Sequence, residues 1–165
     1  MFAFVALGSN LGDTAEVLRH AMARLQGFSD EPVTRSSLWQ TKPVDCPPGS
    51  PQFLNAVVGL IPRTAETPES LLEKLRSLEQ EFGRQPKKIR NEPRPLDLDL
   101  IAFGNATRDT PCLTLPHPRA HRRRFVLEPL NEIAPGLVLP GQTKSVAELL
   151  TQLPATEAVK QKDKP

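Results

Sequence analysis

The chain has 165 residues, 38% of them hydrophobic and 24% charged, with a formal net charge of +2. That length suits one compact domain with a sizeable core and is too short for two ordinary ones. The small net charge gives no argument for a nucleic-acid partner. Cys46 and Cys112 form neither a CxxC pair nor a disulfide framework, and a reducing cytoplasm suits them. The opening run MFAFVALG has no basic leader and falls far short of the roughly 20 apolar residues of a membrane span. A cytoplasmic monomer with no nucleic-acid or membrane partner is the expectation.

In chain order, Phe2 to Leu7 is a short apolar run ended by GSNLGD, the pattern of a buried strand turning into a helix. Asp13 with Glu16 three residues on marks a helix start, and Leu18, Ala21, Met22 and Leu25 follow at helical spacing. Val33 to Gln40 and Phe53 to Leu60 read as strands joined by the proline-rich TKPVDCPPGSP. Thr67 and Pro68 suit an N-cap and first turn, and Leu71, Leu72, Leu75, Leu78 and Phe82 form an apolar stripe stopping at Gly83. Arg123 to Ile133 and Ser145 to Leu153 carry helical patterns. One domain over 1–154 and a flexible tail over 155–165 complete the division. The order strand, helix, strand, strand, helix, strand is that of a ferredoxin-like α+β sandwich. Its two helices would cover one face of an antiparallel sheet and leave the other available, with extra helices appended at the C-terminus.

RPLDLDLI, residues Arg94 to Ile101, raises the functional question. As a strand it sends Leu96, Leu98 and Leu100 to one face and Asp97 and Asp99 to the other. Two parallel carboxylates suit a hard cation such as Mg²⁺, which takes oxygen ligands and keeps waters or phosphate oxygens as the rest. A strand showing polar groups to water accounts for the pair equally well. Arg84, Lys87, Lys88, Arg90 and Arg94 lead into it, and Arg119, His121, Arg122, Arg123 and Arg124 follow Pro116-His117-Pro118. Cations beside a carboxylate pair suit a polyphosphate, although no GxxxxGK[ST] loop is present. On the strand from Phe53, that ring and Asn55 share a face, so a flat apolar plate lies beside a hydrogen-bonding amide. A palm-type nucleotidyltransferase would share the paired aspartates, and an RNA-binding module the strand order, but RNP-like aromatic blocks are missing.

ALGSNLGD, FLNAVVGL, PRPLDLDLIAFG and LPHPRAHRRRFVLEPLNEIAP, in that order, resemble the 6-hydroxymethyl-7,8-dihydropterin pyrophosphokinases of folate biosynthesis. The resemblance runs from Phe2 to Leu150. It implies a ferredoxin-like fold and transfer of pyrophosphate from ATP to the pterin hydroxymethyl group, with AMP released and two Mg²⁺ ions required. By position it makes Asp97 and Asp99 the metal ligands and Arg84 and Arg94 the phosphate-clamping arginines of the loops. His117 and Arg123 become further phosphate ligands, and Leu100 and Thr114 hold adenine through their backbone. The pterin would lie between Phe53 and Phe125, with Asn55 on its edge and the backbone near Thr41, Pro43 and Val44 closing the pocket. Asn91 stands where some members have tryptophan, Phe53 where others have tyrosine, and Lys42 at a place that can be proline.

Overall fold

A computed structural model describes residues 1–41, 53–83 and 95–154, together with the backbone of 159–163. The elements run β1 (Ala3–Ser9), α1 (Thr14–Leu25), β2 (Thr34–Arg35), β3 (Leu38–Thr41), β4 (Phe53–Leu60), α2 (Pro68–Glu81) and β5 (Asp97–Phe103). A small hairpin of β6 (Arg108–Asp109) and β7 (Thr114–Leu115) follows, then α3 (Arg124–Ile133), α4 (Val146–Gln152) and β8 (Val159–Asp163). The main sheet is ordered β5-β1-β4-β3-β8, every neighbouring pair antiparallel, with β2 also against β4. Its first four strands carry the βαββαβ arrangement expected from the sequence.

Local chemistry sets the helix ends. The Asp13 carboxylate accepts from the Glu16 N–H and starts α1. Thr67 and Ser70 form a reciprocal capping box at α2 with Pro68 in the first turn, and Ser145 and Glu148 do the same for α4. Past the end of α2, Gly83 takes φ +92°, a left-handed turn that glycine enters without Cβ strain.

Alternation along the strands then separates two cores. Val5, Leu7, Leu54, Ala56, Val58, Leu98 and Leu100 pack with Leu18, Leu25, Leu71, Leu75 and Leu78 of α1 and α2. Fully burying each such leucine contributes about 2 kcal/mol. On the reverse face Phe4, Val57, Ile101 and Ala102 pack with Val126, Leu127 and Leu130 of α3 and with Val146 and Leu149 of α4. The appended helices therefore cover part of the face that the sequence leaves available, and Gly8, Asn55 and Asp97 lie at the end of that face beyond the strand residues of this second core.

A further difference appears. Val33 to Gln40 is broken into β2 and β3, because Thr34 pairs with Gly59 while Trp39 pairs with Asn55, one residue out of register. At the break the Ser36 hydroxyl accepts the Val57 N–H at 2.9 Å, so a side chain stands in for backbone in a β-bulge. Within 155–165, expected from the sequence as a flexible tail, the described residues are 159–163. Val159–Asp163 pairs along β3, since the bare edge of β3 offers N–H and C=O groups that an added strand satisfies. Among the described residues, no helix is long and apolar enough to cross a membrane.

Candidate active site

One end of the reverse face is built row by row from strand register. Gly8 of β1 lies opposite Asp97 on one side and Asn55 on the other, and Asn55 in turn lies opposite Trp39. One row on, Ala6 lies between Asp99 and Val57. Directly opposite residues of antiparallel strands project from the same face, so the carboxylates, the amide and the tryptophan share a surface floored by the smallest side chains. A Cβ on Gly8 would stand 3.3 Å from Asn55 Oδ1 and 3.7 Å from Phe53 Cδ1. The glycine thus keeps open the space between the acidic strand and the Phe53–Asn55 pair. The Asn55 amide donates to Thr41 Oγ1 at 3.0 Å, a buried contact that fixes which way it points.

Opposing charges surround the two aspartates. Burial, and then the Asp97 carboxylate, push Asp99 up to about 6, with Arg76 and Arg123 opposing. Arg123 is lowered by burial and drawn back by Asp99. Its guanidinium lies 5.4 Å from the centre of the Phe125 ring, a cation–π contact that ties the phosphate-binding candidate to the stacking candidate. His117 is pushed down to about 4 by burial and by Arg123 and Arg119. Its Nδ1 accepts the Arg119 N–H at 3.2 Å, so the neutral ring carries its proton on Nε2 as a donor.

A cleft of about 200 Å³ opens on the outer side of β5, lined among others by Leu72, Arg76, Asp99, Leu100, Thr114 and His117. It brings together four residues that the sequence names for nucleotide and metal. Arg76 is one that the sequence reading misses, and Glu79 another. The nearly inaccessible Glu79 (3% exposed) accepts the Leu98 N–H through Oε2 at 2.8 Å and an Arg76 N–H through Oε1 at 3.0 Å. Arg76 also donates to the Leu98 carbonyl at 3.1 Å. β5 ends the sheet, and this pair caps its outer edge between the two aspartates where a further strand would otherwise lie. The signal was present, since Glu79 falls four residues after Leu75, on the apolar stripe of α2 where a charge is out of place.

Thr41, Phe53, Asn55, Asp97, Asp99, Leu100, Thr114, His117, Arg123 and Phe125 are all described; Asp99, Leu100, Thr114 and His117 line the cleft, Asn55 and Asp97 share a row with Gly8, and Phe125 lies beside Arg123. Arg84, Arg94, Pro43 and Val44 lie outside the described residues, as do Lys42 and Asn91. Among the described residues no three His, Cys, Asp or Glu side chains gather as a metal cage. A pair of carboxylates in mutual repulsion still fits a hard divalent cation completed by phosphate oxygens and water, and suits no thiolate or imidazole metal.

The sequence pattern of 7,8-dihydro-6-hydroxymethylpterin-pyrophosphokinase matches residues 4–135. The chain belongs to that family. A 2-amino-4-hydroxy-6-hydroxymethyldihydropteridine pyrophosphokinase of Haemophilus influenzae is 38% identical over 159 residues, covering 96% of each chain. Another from Synechocystis sp. is 40% identical over 157 residues, 93% of this chain and 77% of the relative. The fold matches a solved HPPK-DHPS chain in complex with substrates, with a TM-score of 0.72 at 13% identity over 91% of this chain and 42% of that one. A wild-type HPPK-DHPS of Plasmodium falciparum with pteroate gives 0.71 at 14% identity, over 92% of this chain and 42% of that one. This pyrophosphokinase is an enzyme of folate biosynthesis, a diphosphotransferase with ATP as co-substrate.

Proposed function

We propose that this pyrophosphokinase binds 6-hydroxymethyl-7,8-dihydropterin in the Gly8-floored groove and ATP in the cleft beside β5, with Asp97 and Asp99 between them holding two Mg²⁺ ions. The observation that carries this reading is the position of Asp99, which lines the nucleotide cleft while sharing its strand face with Asp97, the residue level with Gly8 and Asn55. The substrate hydroxyl oxygen attacks the β-phosphorus in line, the bond from that phosphorus to the α-bridging oxygen breaks, AMP leaves and the hydroxyl proton passes to solvent. Bound divalent ions supply Lewis-acid polarisation of the phosphate oxygens and lower the pKa of the attacking hydroxyl.

The chain's own residues bind and orient. Phe53 and Phe125 stack on the pterin, Asn55 addresses its edge with the amide set by Thr41, and Thr41, Pro43 and Val44 contribute backbone contacts to it. Arg123 and the Nε2–H of His117 donate to phosphate oxygens, with Arg84 and Arg94 clamping the triphosphate. Leu100 and Thr114 present backbone groups to adenine. Holding two polar substrates in line and away from water is most of the catalysis, and no nucleophilic triad or covalent intermediate is involved. The same reading has the enzyme acting as a cytoplasmic monomer, which the free, exposed thiol of Cys112 suits.

Incubation with ATP, Mg²⁺ and the pterin tests the reaction. AMP formed only when pterin is present is the expected result, and release of inorganic pyrophosphate would refute it. For the site, Asp97→Ala should lose turnover while calorimetry shows pterin affinity nearly unchanged. Full activity in that variant would remove the metal assignment.

A further inference from the structure

We infer that Glu132 is a positioning residue for the pterin groove, locking the strand that carries Thr41 and Trp39 against the helix that carries Phe125. The inference rests on the groove being the pterin site.

Glu132 lies in the last turn of α3, about 10 Å along the axis from Phe125 in the first, at 1.5 Å per residue. Its carboxylate accepts three hydrogen bonds, all from the start of β3. The Ser37 N–H donates to Oε1 at 2.9 Å, the Ser37 hydroxyl to Oε2 at 2.5 Å, and the Trp39 indole N–H to Oε1 at 3.0 Å. Ser37 is fully buried and sits in the bulge that shifts β3 by one residue against β4. The bulge decides which side chains of β3 share a face with Asn55, because a slip of one residue exchanges the two faces of a strand. With the bulge held as it is, Trp39 stands opposite Asn55, and Thr41 stands opposite Phe53 with its hydroxyl accepting from Asn55.

One carboxylate therefore fixes the residues beside the recognition amide and, through its own helix, their position relative to the second stacking ring. Trp39 is half-buried on the groove face and is the sole tryptophan of the chain. A role in mere stability would not require the indole N–H to join the bulge on the same oxygen.

Glu132→Gln is the test, since the amide keeps the size but has one acceptor oxygen for three donors and turns N–H groups toward the others. The expected result in calorimetric titration is roughly tenfold weaker pterin binding, with affinity for a non-hydrolysable ATP analogue within twofold, and a KM for pterin raised far more than kcat is lowered. Trp39 emission should shift in the unliganded variant. Equal weakening of both ligands, or unchanged pterin affinity at a temperature where the variant is folded, overturns the inference. Asn55→Ala is titrated in parallel. If it too leaves pterin affinity unchanged, the groove assignment falls with the inference, whereas weakening there and none at Glu132 sinks the inference alone. Should Glu132→Gln fail to fold, Trp39→Phe deletes one donor and keeps a ring. A roughly threefold loss of pterin affinity is then expected, and no loss overturns the inference.

Discussion

Gly8→Ala adds one methyl group to the floor between the acidic strand and Asn55. The backbone of Gly8 is not in the left-handed region, so alanine is conformationally acceptable and restricts the unfolded chain, worth up to about 1 kcal/mol of stability. Against this, the new Cβ would stand 3.3 Å from Asn55 Oδ1, a few tenths of an ångström inside ordinary contact distance. Asn55 is 6% exposed and cannot swing into solvent; its amide must move against the 3.0 Å bond to Thr41. Weakening that buried bond costs about 1 kcal/mol, and an edge contact to the pterin lost with it costs a similar amount. The first cost falls on the free and the bound protein alike and offsets the gain in stability; the second alone enters binding and gives a roughly fivefold weaker pterin complex, with the fold intact. Thermal unfolding should show a midpoint within a few degrees of the parent, while calorimetry shows the loss for pterin and none for an ATP analogue. A parent-like pterin affinity would mean that the space above Gly8 is not where the ring binds.

Asp99→Asn should stabilise the unliganded protein at neutral pH while removing turnover. A carboxyl whose folded pKa is raised from 3.8 to about 6 contributes stability that is present below the unfolded value and lost as pH rises through the folded one, on the order of 2 kcal/mol. Its removal should therefore raise the melting temperature at pH 7 and change nothing below about pH 4, and a variant less stable at pH 7 would contradict the burial of that charge. His117 has the opposite sign, since a folded pKa pushed down from 6.5 to about 4 contributes stability that is lost as pH falls through that window. His117→Asn should flatten the acid limb of a stability–pH profile between those values, and an unchanged limb would refute this. Glu79→Ala leaves the buried Leu98 N–H without its acceptor, a loss of about 2 kcal/mol and roughly 4–8 °C in midpoint for a chain of this size. A drop under one degree would mean that the edge of β5 is held by something else.

Much of this was legible in the sequence, for reasons that differ by element. Asp97 and Asp99 stand out because a period of two can be read without knowing any partner strand, and the same parity separates Phe53 and Asn55 from Leu54 and Ala56. Caps at Asp13 and Thr67 depend on residues a few positions apart and are local in the same way. The bulge was hidden, because Ser36 replaces a backbone acceptor only once β4 lies alongside. The strand β8 was hidden too, since VKQKD has no apolar face and its pairing comes from the bare edge of β3. Arg76, Glu79 and Glu132 each act on a backbone or ring 19 or more residues away in the chain, and a single sequence carries no sign of that distance except Glu79's misplaced charge.

The location of the acidic pair on an edge strand follows from what the site must reach. A central strand has neighbours on both sides, so carboxylates there could look only across the face of the sheet. On β5 the inner neighbour β1 supplies Gly8 and Ala6, whose small side chains leave the face open toward Asn55. The outer edge is left for the cleft that Leu100, Thr114 and His117 line. An exposed edge invites pairing with other chains, and a mobile one would let the carboxylates drift. Glu79 and Arg76 answer both problems by occupying the Leu98 N–H and C=O from a helix, which caps the edge without filling the cleft. Asp97 and Asp99, on either side of Leu98, are thus fixed from behind by a buried carboxylate, while burial and the Asp97 charge together raise Asp99. A divalent cation held there with a polyphosphate, as proposed above, would remove that repulsion and couple ligand binding to folding stability at this strand, and the stabilisation by nucleotide with Mg²⁺ should then be largest above pH 6, where the unliganded protein carries both charges.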